Sequence, residues 1–277
     1  MHEKRISHSG LELPPIGFGT YRLSGTEGAD TIARAIDAGY TLLDSAFNYE
    51  NEGTVGEGVR RAARSRDELI VTSKLPGRHQ RYDQALTTIE ESVFRSGLDH
   101  LDLYLIHWPN PSQDLYVEAW RALIDARERG LVTAIGVCNF LPEHLDRLQA
   151  ETGVLPDVNQ IELHPYFPQD EQLAYDAEHG ILTEAWSPLG RGNDLLGRED
   201  IGEIARAHDA TPGQVVLAWA IARGAIPLPK AASADRQREN LDAVDVTLSE
   251  AELEAITALG KPDGRLADQD PATYEEF

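Results

Sequence analysis

YTLLDSAFNYENEGTVGEGVRRAARSRDELIVTSK, residues 40–74, holds one complete repeat of the chain. An apolar run over about 40–43 ends at Asp44, and a polar stretch carrying Phe47, Asn48 and Tyr49 follows. A segment with helical patterning covers about 54–64, and a second β-rich run over 69–73 ends at Lys74. Short, nearly all-apolar runs suit parallel strands buried on both faces, and the helix between them supplies the crossover that parallel pairing needs. A charged side chain abutting such a strand must find a partner or suffer desolvation. Asp44 and Lys74, at the ends of successive strands, can serve each other.

The same rhythm extends in both directions. Upstream, RISHSGLELPPIGFGT (5–20) reads as a hairpin over about 5–14 turning at Ser9-Gly10, then a first strand at 16–17 and a helix over 28–38. Downstream, strands at about 101–106, 132–137, 158–162, 182–185 and 225–227 alternate with helices. The helices fall at about 82–96, 115–129, 142–151, 169–178, 200–208, 212–223, 234–241 and 249–258. Eight strands, each followed by helix, predict an α/β protein with a (β/α)8 barrel, an N-terminal hairpin and extra helices. The expected organisation is one domain over 1–277: hairpin about 5–14, barrel about 16–241, C-terminal helix and loop 249–277. The rival is an open doubly wound sheet, which would carry a glycine-rich phosphate loop after an early strand. GFGT at 17–20 is not GxGxxG. The segment 260–277, with Pro262, Gly264 and Pro271, reads as an ordered loop over the barrel mouth or a loose end.

With 47 acidic against 25 basic residues and a formal charge of -22, the chain is expected to bind neither nucleic acid nor an anionic membrane surface. The one cysteine, Cys138, excludes an intrachain disulfide and fits a reducing compartment. The opening, MHEKRISHSG, has no apolar core of a secretion signal, and no run approaches a membrane span, so a cytoplasmic protein is expected. His107 and His164 follow different strands, with no HxH or HExxH pair, so no metal site is expected.

LYLIH (103–107) puts His107 at the end of the fourth strand. In a barrel Asp44, Tyr49, Lys74 and His107 all face one mouth, where βα loops build active sites. A carbonyl that accepts hydride develops negative charge on oxygen and needs a proton. Tyr49 can give it, Lys74 can lower the phenol pKa, Asp44 can hold Lys74, and His107 can hydrogen-bond the carbonyl. Each has a plainer reading. Tyr49 could be a packing residue, Asp44 a helix cap, Asp44-Lys74 a structural pair, and His107 a satisfied loop residue. Their joint placement at successive strand ends favours chemistry.

GFGT, the Asp44/Tyr49 spacing, LIHWP, GVCNF, NQIELHP, AWSPLG and PK…RQREN occur in this order, from 17 to about 245. With them the chain resembles the aldo-keto reductases, especially the bacterial 2,5-diketo-D-gluconate reductase-like group. The resemblance implies a catalytic tetrad at Asp44, Tyr49, Lys74 and His107, and NADPH (with NADH possible) extended across the mouth. Trp186 would stack on the nicotinamide, with Cys138, Asn139 and Gln160 at its carboxamide. Gly19, Thr20 and Asp44 would also line the cofactor, and Ser187, Pro188, Leu189 and Gly190 its pyrophosphate side. Lys230, Ala231 and Arg236 would meet the 2′-phosphate, where alanines at 231 and 232 replace the usual polar side chains. Glu239 and Asn240 would reach the adenine end. Tyr21, Phe47, Trp108 and Phe140 would form an aromatic rim around a small carbonyl substrate, with Asn48 and His107 beside it. A short C-terminal loop would leave the pocket open. The family implies a monomer. The alternative is a non-catalytic NADP(H)-binding redox-sensing regulatory subunit on the same barrel.

Overall fold

The structure is a computed structural model that describes residues 3–277. Residues 1–2 of the expected domain lie outside the described residues. A two-stranded hairpin, β1 (Arg5–Ile6) and β2 (Glu12–Leu13), opens the fold. Eight parallel strands follow: β3 (Phe18–Gly19), β4 (Leu42–Asp44), β5 (Ile70–Leu75), β6 (Leu101–Ile106), β7 (Val132–Cys138), β8 (Val158–Glu162), β9 (Leu182–Trp186) and β10 (Ile226–Pro227). Each pairs with its sequence neighbours, as right-handed βαβ units require. The ring closes where the amides of Gly17 and Gly19 donate to the carbonyls of Pro227 and Pro229, at 3.0 and 3.1 Å. That closure makes a (β/α)8 barrel and excludes the open sheet.

Among the described residues ten α-helices surround it: α1 (Gly25–Ala38), α2 (Glu52–Arg61), α3 (Tyr82–Ser96), α4 (Tyr116–Glu128), α5 (Pro142–Thr152), α6 (Asp170–Glu178), α7 (Glu199–Ala207), α8 (Pro212–Ala222), α9 (Ala234–Leu241) and α10 (Glu250–Thr257). Their apolar stripes pack outside the strands in two clusters, a larger one that includes Ile36, Val71, Ile89, Trp120 and Val137 and a smaller one with Ile201, Val216, Trp219 and Ile256. A second set of side chains fills the barrel's interior: Leu42, Leu103, Leu105, Val158 and Leu228, with Leu13 of the hairpin among them. The hairpin is fastened at the N-terminal ends of the strands. Ser7 donates to Asp157 at 2.8 Å, and the His8 amide to the Gly180 carbonyl at 2.8 Å. It therefore plugs the end opposite the mouth.

Helix α8 (PGQVVLAWAIA) is apolar nearly all round and so must be covered on every side. Helix α7 packs on it, and Trp219 donates to Thr257 of α10 at 2.9 Å. The extra helices thus answer a burial demand written into α8. Thr211 caps α8 in a reciprocal box with Gln214, satisfying amides at its start.

Helices α2 and α3 touch at Gly56, where an added Cβ would sit 1.7 Å from the Ser96 carbonyl oxygen. Gly56→Ala should push the helices apart and destabilise the barrel by about 2 kcal/mol or more. Gly202→Ala, on α7, would meet only the end of Arg206 at 3.4 Å. It should be neutral or gain a few tenths of a kcal/mol, up to about 1. Thermal denaturation of the two variants side by side checks the contrast.

Candidate active site at the barrel mouth

A cavity of about 450 Å³ opens at the C-terminal ends of the strands, with Asp44, Tyr49 and His107 in its wall. Lys74 lies directly beneath. Its side chain has no solvent exposure. Its Nζ donates to Asp44 Oδ1 at 2.5 Å and to the Ser45 carbonyl at 2.7 Å, and it sits 5.0 Å from the centre of the Tyr49 ring. Burial by itself would pull the ammonium pKa down. Asp44 and its neighbours outweigh that and hold it above the usual lysine value, so Lys74 is charged.

Tyr49 follows β4 on a single 3-10 turn, Phe47–Tyr49, and its ring packs edge-on against Tyr21 and His107, with centroids 5.0 and 6.1 Å away. Here the structure corrects the sequence reading. Lys74 does pull the phenol pKa down, but burial of the hydroxyl is the larger effect and Asp44 adds to it, so the pKa is pushed up to about 12. The hydroxyl holds its proton at neutral pH.

The loops that carry these groups interlock through Asn139. It takes a left-handed backbone (φ 61°) just after β7, and its amide hydrogen donates to the Gln160 carbonyl at 2.9 Å. Its side chain donates to the His107 carbonyl at 3.1 Å and accepts from the Trp186 indole at 2.8 Å. The Trp186 ring is thereby fixed as a wall of the cavity. Gln160 spends both side-chain hydrogens on buried acids, donating to Asp44 and Glu184 at 2.8 Å each. Its side-chain carbonyl is left to accept, as a carboxamide NH2 would require. Cys138 lines the same wall but packs with the barrel's interior aliphatics, and burial pushes its thiol pKa well up. It stays a neutral thiol.

Gly19, Ser187, Pro188, Leu189 and Lys230 also line the cavity. The fit to a nicotinamide dinucleotide is good at this end: a fixed indole face, a free amide carbonyl, and a strip of loop leading to a lysine. The remaining expected cofactor residues lie off the cavity wall. Thr20 is buried and donates to the Asp44 carbonyl at 2.8 Å, so it supports the strand end. Gly190 takes a φ of 71° in a turn where a Cβ would come 2.6 Å from Asn193. Ala231 belongs to the outer core. Arg236 is exposed in the first turn of α9, capped by Ser233. Glu239 accepts from Thr211 at 2.7 Å, and Asn240 is buried.

On the substrate side, Tyr21 and Trp108 line the cavity. Phe47 and Phe140 do not complete a rim. Phe47 is covered by guanidinium groups, with Arg95 4.0 Å from its ring centre, and Phe140 packs inward on Tyr116 at 5.4 Å. Asn48 is half-buried and does not line the cavity. It donates to Glu276 at 2.8 Å and accepts from Arg78 at 2.5 Å.

Glu276 is one of several site residues that the sequence reading missed. The segment 269–277 crosses the mouth, and Gln269, Tyr274 and Glu276 join the wall. The pocket is therefore less open than a short C-terminal loop implies. Glu276 Oε1 lies 2.7 Å from His107 Nδ1, though poorly aligned for a hydrogen bond. Its Oε2 accepts from the Gly77 amide at 2.8 Å. Arg191, 5.4 Å from the Trp186 ring, was also missed, as was Glu184, a fully buried acid on β9. Burial, with Asp44 nearby, pushes the Glu184 pKa up to about 7. Trp108 packs on Tyr274 of the crossing segment, with ring centres 4.5 Å apart and planes tilted by 57°.

Comparison with known proteins agrees with this geometry. The Aldo/keto reductase family profile matches residues 15–261. The chain is 52% identical to 2,5-diketo-D-gluconic acid reductase B of Corynebacterium sp. (strain SHS752001), covering 94% of each chain. It is 43% identical to methylglyoxal reductase DkgA of Yersinia pestis, covering 91% of each. Among solved structures, a mutant of Gox0644 in complex with NADPH superposes with a TM-score of 0.93 at 40% identity, covering 99% of each chain. No helix of the described residues is long and apolar enough to cross a membrane. The protein is an NAD(P)H-dependent oxidoreductase and belongs to the aldo/keto reductase family.

Proposed function

We propose that this chain reduces aldehydes and ketones to alcohols with NADPH, and that Tyr49 supplies the proton. The observation that carries the reading is the meeting of Asp44, Tyr49, Lys74 and His107 around one cavity, with the buried ion pair at its base. The cofactor, when bound, supplies the hydride. Gln160 and Asn139 would hold its carboxamide, Trp186 would back the ring, Ser187–Gly190 would follow the pyrophosphate, and Lys230 and Arg236 would meet the 2′-phosphate.

The chain's own part is to orient and protonate the carbonyl. His107 fixes its oxygen. Tyr49, neutral because burial raises its pKa to about 12, carries a proton ready to leave. The Lys74 ammonium, 5.0 Å from the phenol ring, stabilises the phenolate as it forms. Asp44 keeps that ammonium charged and in place. The substrate is a small carbonyl compound: an aldehyde, an α-diketone or a keto-sugar acid. The names of the relatives, a diketogluconic acid reductase and a methylglyoxal reductase, support that range. The same reading takes 1–277 as a single domain that works as a monomer in the cytoplasm. The regulatory-subunit alternative has no observation in its favour.

Tyr49→Phe should keep NADPH binding, followed by quenching of tryptophan fluorescence, and lose about 10²–10⁴-fold in kcat for aldehyde reduction. Normal turnover would end the assignment. The raised Tyr49 pKa also fixes a sign. Alcohol oxidation needs the phenolate, so its rate should climb between about pH 7 and about pH 9, by up to about tenfold per unit, while reduction shows no such rise. Parallel pH profiles in the two directions decide this. Arg236→Ala should raise the NADPH dissociation constant about tenfold and leave NADH binding nearly unchanged, since only NADPH carries the 2′-phosphate. Titrating both cofactors against the variant gives the answer.

A further inference from the structure

Glu276 puts a carboxylate on the histidine that faces the reacting carbonyl. Its Oε1 accepts from Asn48 at 2.8 Å and lies 2.7 Å from His107 Nδ1. Its Oε2 accepts from the Gly77 amide at 2.8 Å. Its backbone is clamped in both directions by Asn110, the amide donating at 3.0 Å and the carbonyl accepting at 2.8 Å. One residue beyond β10's helices thus ties together the loops after β4, β5 and β6. Neighbouring residues support it: Glu275 accepts from the Ser112 amide at 2.7 Å, and Tyr274 packs on Trp108 at a tilt. Burial would raise the Glu276 pKa, but His107 and the donors around the carboxylate hold it below the usual value, so it is ionised.

Beyond His107 itself, no cation lines this side of the cavity among the described residues. The wall there is Tyr21, Tyr49, His107, Trp108, Gln269 and Tyr274. Among the described lining residues the cations are Arg191 and Lys230, which follow β9 and β10 on the Trp186 side. Arg78 is exposed and reaches Glu276 only through the neutral Asn48 amide, so solvent screens much of its offset. A substrate carbonyl on His107 would hold any charge on its adjacent carbon on the same wall as Glu276, with the imidazole ring between them. At an effective dielectric of about 20, repulsion across a separation of about 7–10 Å suffices for a discrimination of about tenfold.

We propose that Glu276 is a specificity-determining residue that turns away substrates bearing a carboxylate next to the reacting carbonyl, and so favours uncharged aldehydes and α-dicarbonyls over 2-keto acids. The proposal rests on His107 as the carbonyl's hydrogen-bond donor. Carboxylates placed several bonds from the carbonyl fall outside the exclusion, because they can extend toward Lys230 and Arg191. No rearrangement of the segment is required. The fixed carboxylate acts through its charge, as a built-in repulsive element against the wrong substrate.

The test uses phenylglyoxylate and its methyl ester, which share ring and ketone and differ in one charge. In the full-length protein with NADPH, kcat/KM for the ester should exceed that for the acid by at least about tenfold. Intrinsic reactivity contributes to that ratio, so the decisive quantity is its change. Glu276→Gln should narrow the ester-to-acid ratio by at least about fivefold, and Glu276→Asp should retain most of it. Glu276→Ala makes the same comparison should the glutamine variant fail to fold. An unchanged ratio in the charge-removed variant would overturn the proposal. Failure of the wild-type protein to reduce the ester or any aldehyde would instead overturn the reductase reading itself.

Discussion

A lysine ammonium with no solvent exposure stands at the base of the mouth, and the rest of the site is arranged around keeping it charged. An ion pair in such a place is held by geometry rather than by a net gain over apolar packing. Lys74 spends its donors on Asp44 and on the Ser45 carbonyl. Removing either charged partner would strand the other, at a cost of about 3–5 kcal/mol. Asp44 ends β4, and Lys74 lies two residues beyond its register partner Thr72 on β5, so the barrel's hydrogen bonding fixes their separation before any side chain is considered. The fold and the chemistry therefore share one constraint: a closed parallel barrel puts the two charges next to each other and away from water.

Burial has two consequences that pull against one another at Tyr49. It makes the hydroxyl reluctant to ionise, which suits an acid that must keep its proton until a carbonyl arrives. It also strengthens the field of Lys74, which makes the phenolate tolerable once the proton has gone. The net position near 12 reflects the first effect winning in the absence of a developing negative charge on the substrate. A proton donor does not need a low pKa at rest. It needs its conjugate base stabilised at the moment of transfer, and a fixed ammonium already in place does this without reorganisation.

Much of this was legible in the sequence because it obeys local rules. Apolar runs ending in Asp44, Lys74 and His107 announce buried parallel strands, and their order forces one mouth. The all-apolar stretch of α8 announces a helix that must be covered. Boundaries drifted where periodicity is a poor guide: α2 begins at Glu52, two residues ahead of the first β-branched position and without a side-chain cap from Asn51. The site contacts that escaped are those of long sequence separation. Asn48 and Glu276 are 228 residues apart, and neither has a local pattern that names the other. Phe47 and Phe140 look like rim residues by composition. Guanidinium stacking and inward packing claim them instead, and both depend on elements far along the chain. Glu184 sits in a strand where alternation hides it among the apolar residues of TEAW, so its burial next to Asp44 becomes visible only when β8 and β9 are in register.

Glu184 also shows why the site tolerates so many acids. Gln160 bridges it to Asp44 with both amide hydrogens, so two carboxyl groups share one neutral donor and face one ammonium. Two full negative charges there would exceed what Lys74 can balance in a buried setting, and the rise of the Glu184 pKa to about 7 is the expected response. With Glu184 protonated, the Asp44–Lys74 pair is neutral overall, and Gln160 is held by acceptors on two sides with its carbonyl turned to the cavity. The same hydrogen bonds that settle the charge thus also orient the amide. A cofactor carboxamide would meet an acceptor already in place, and the ordering would have been supplied by folding rather than by binding.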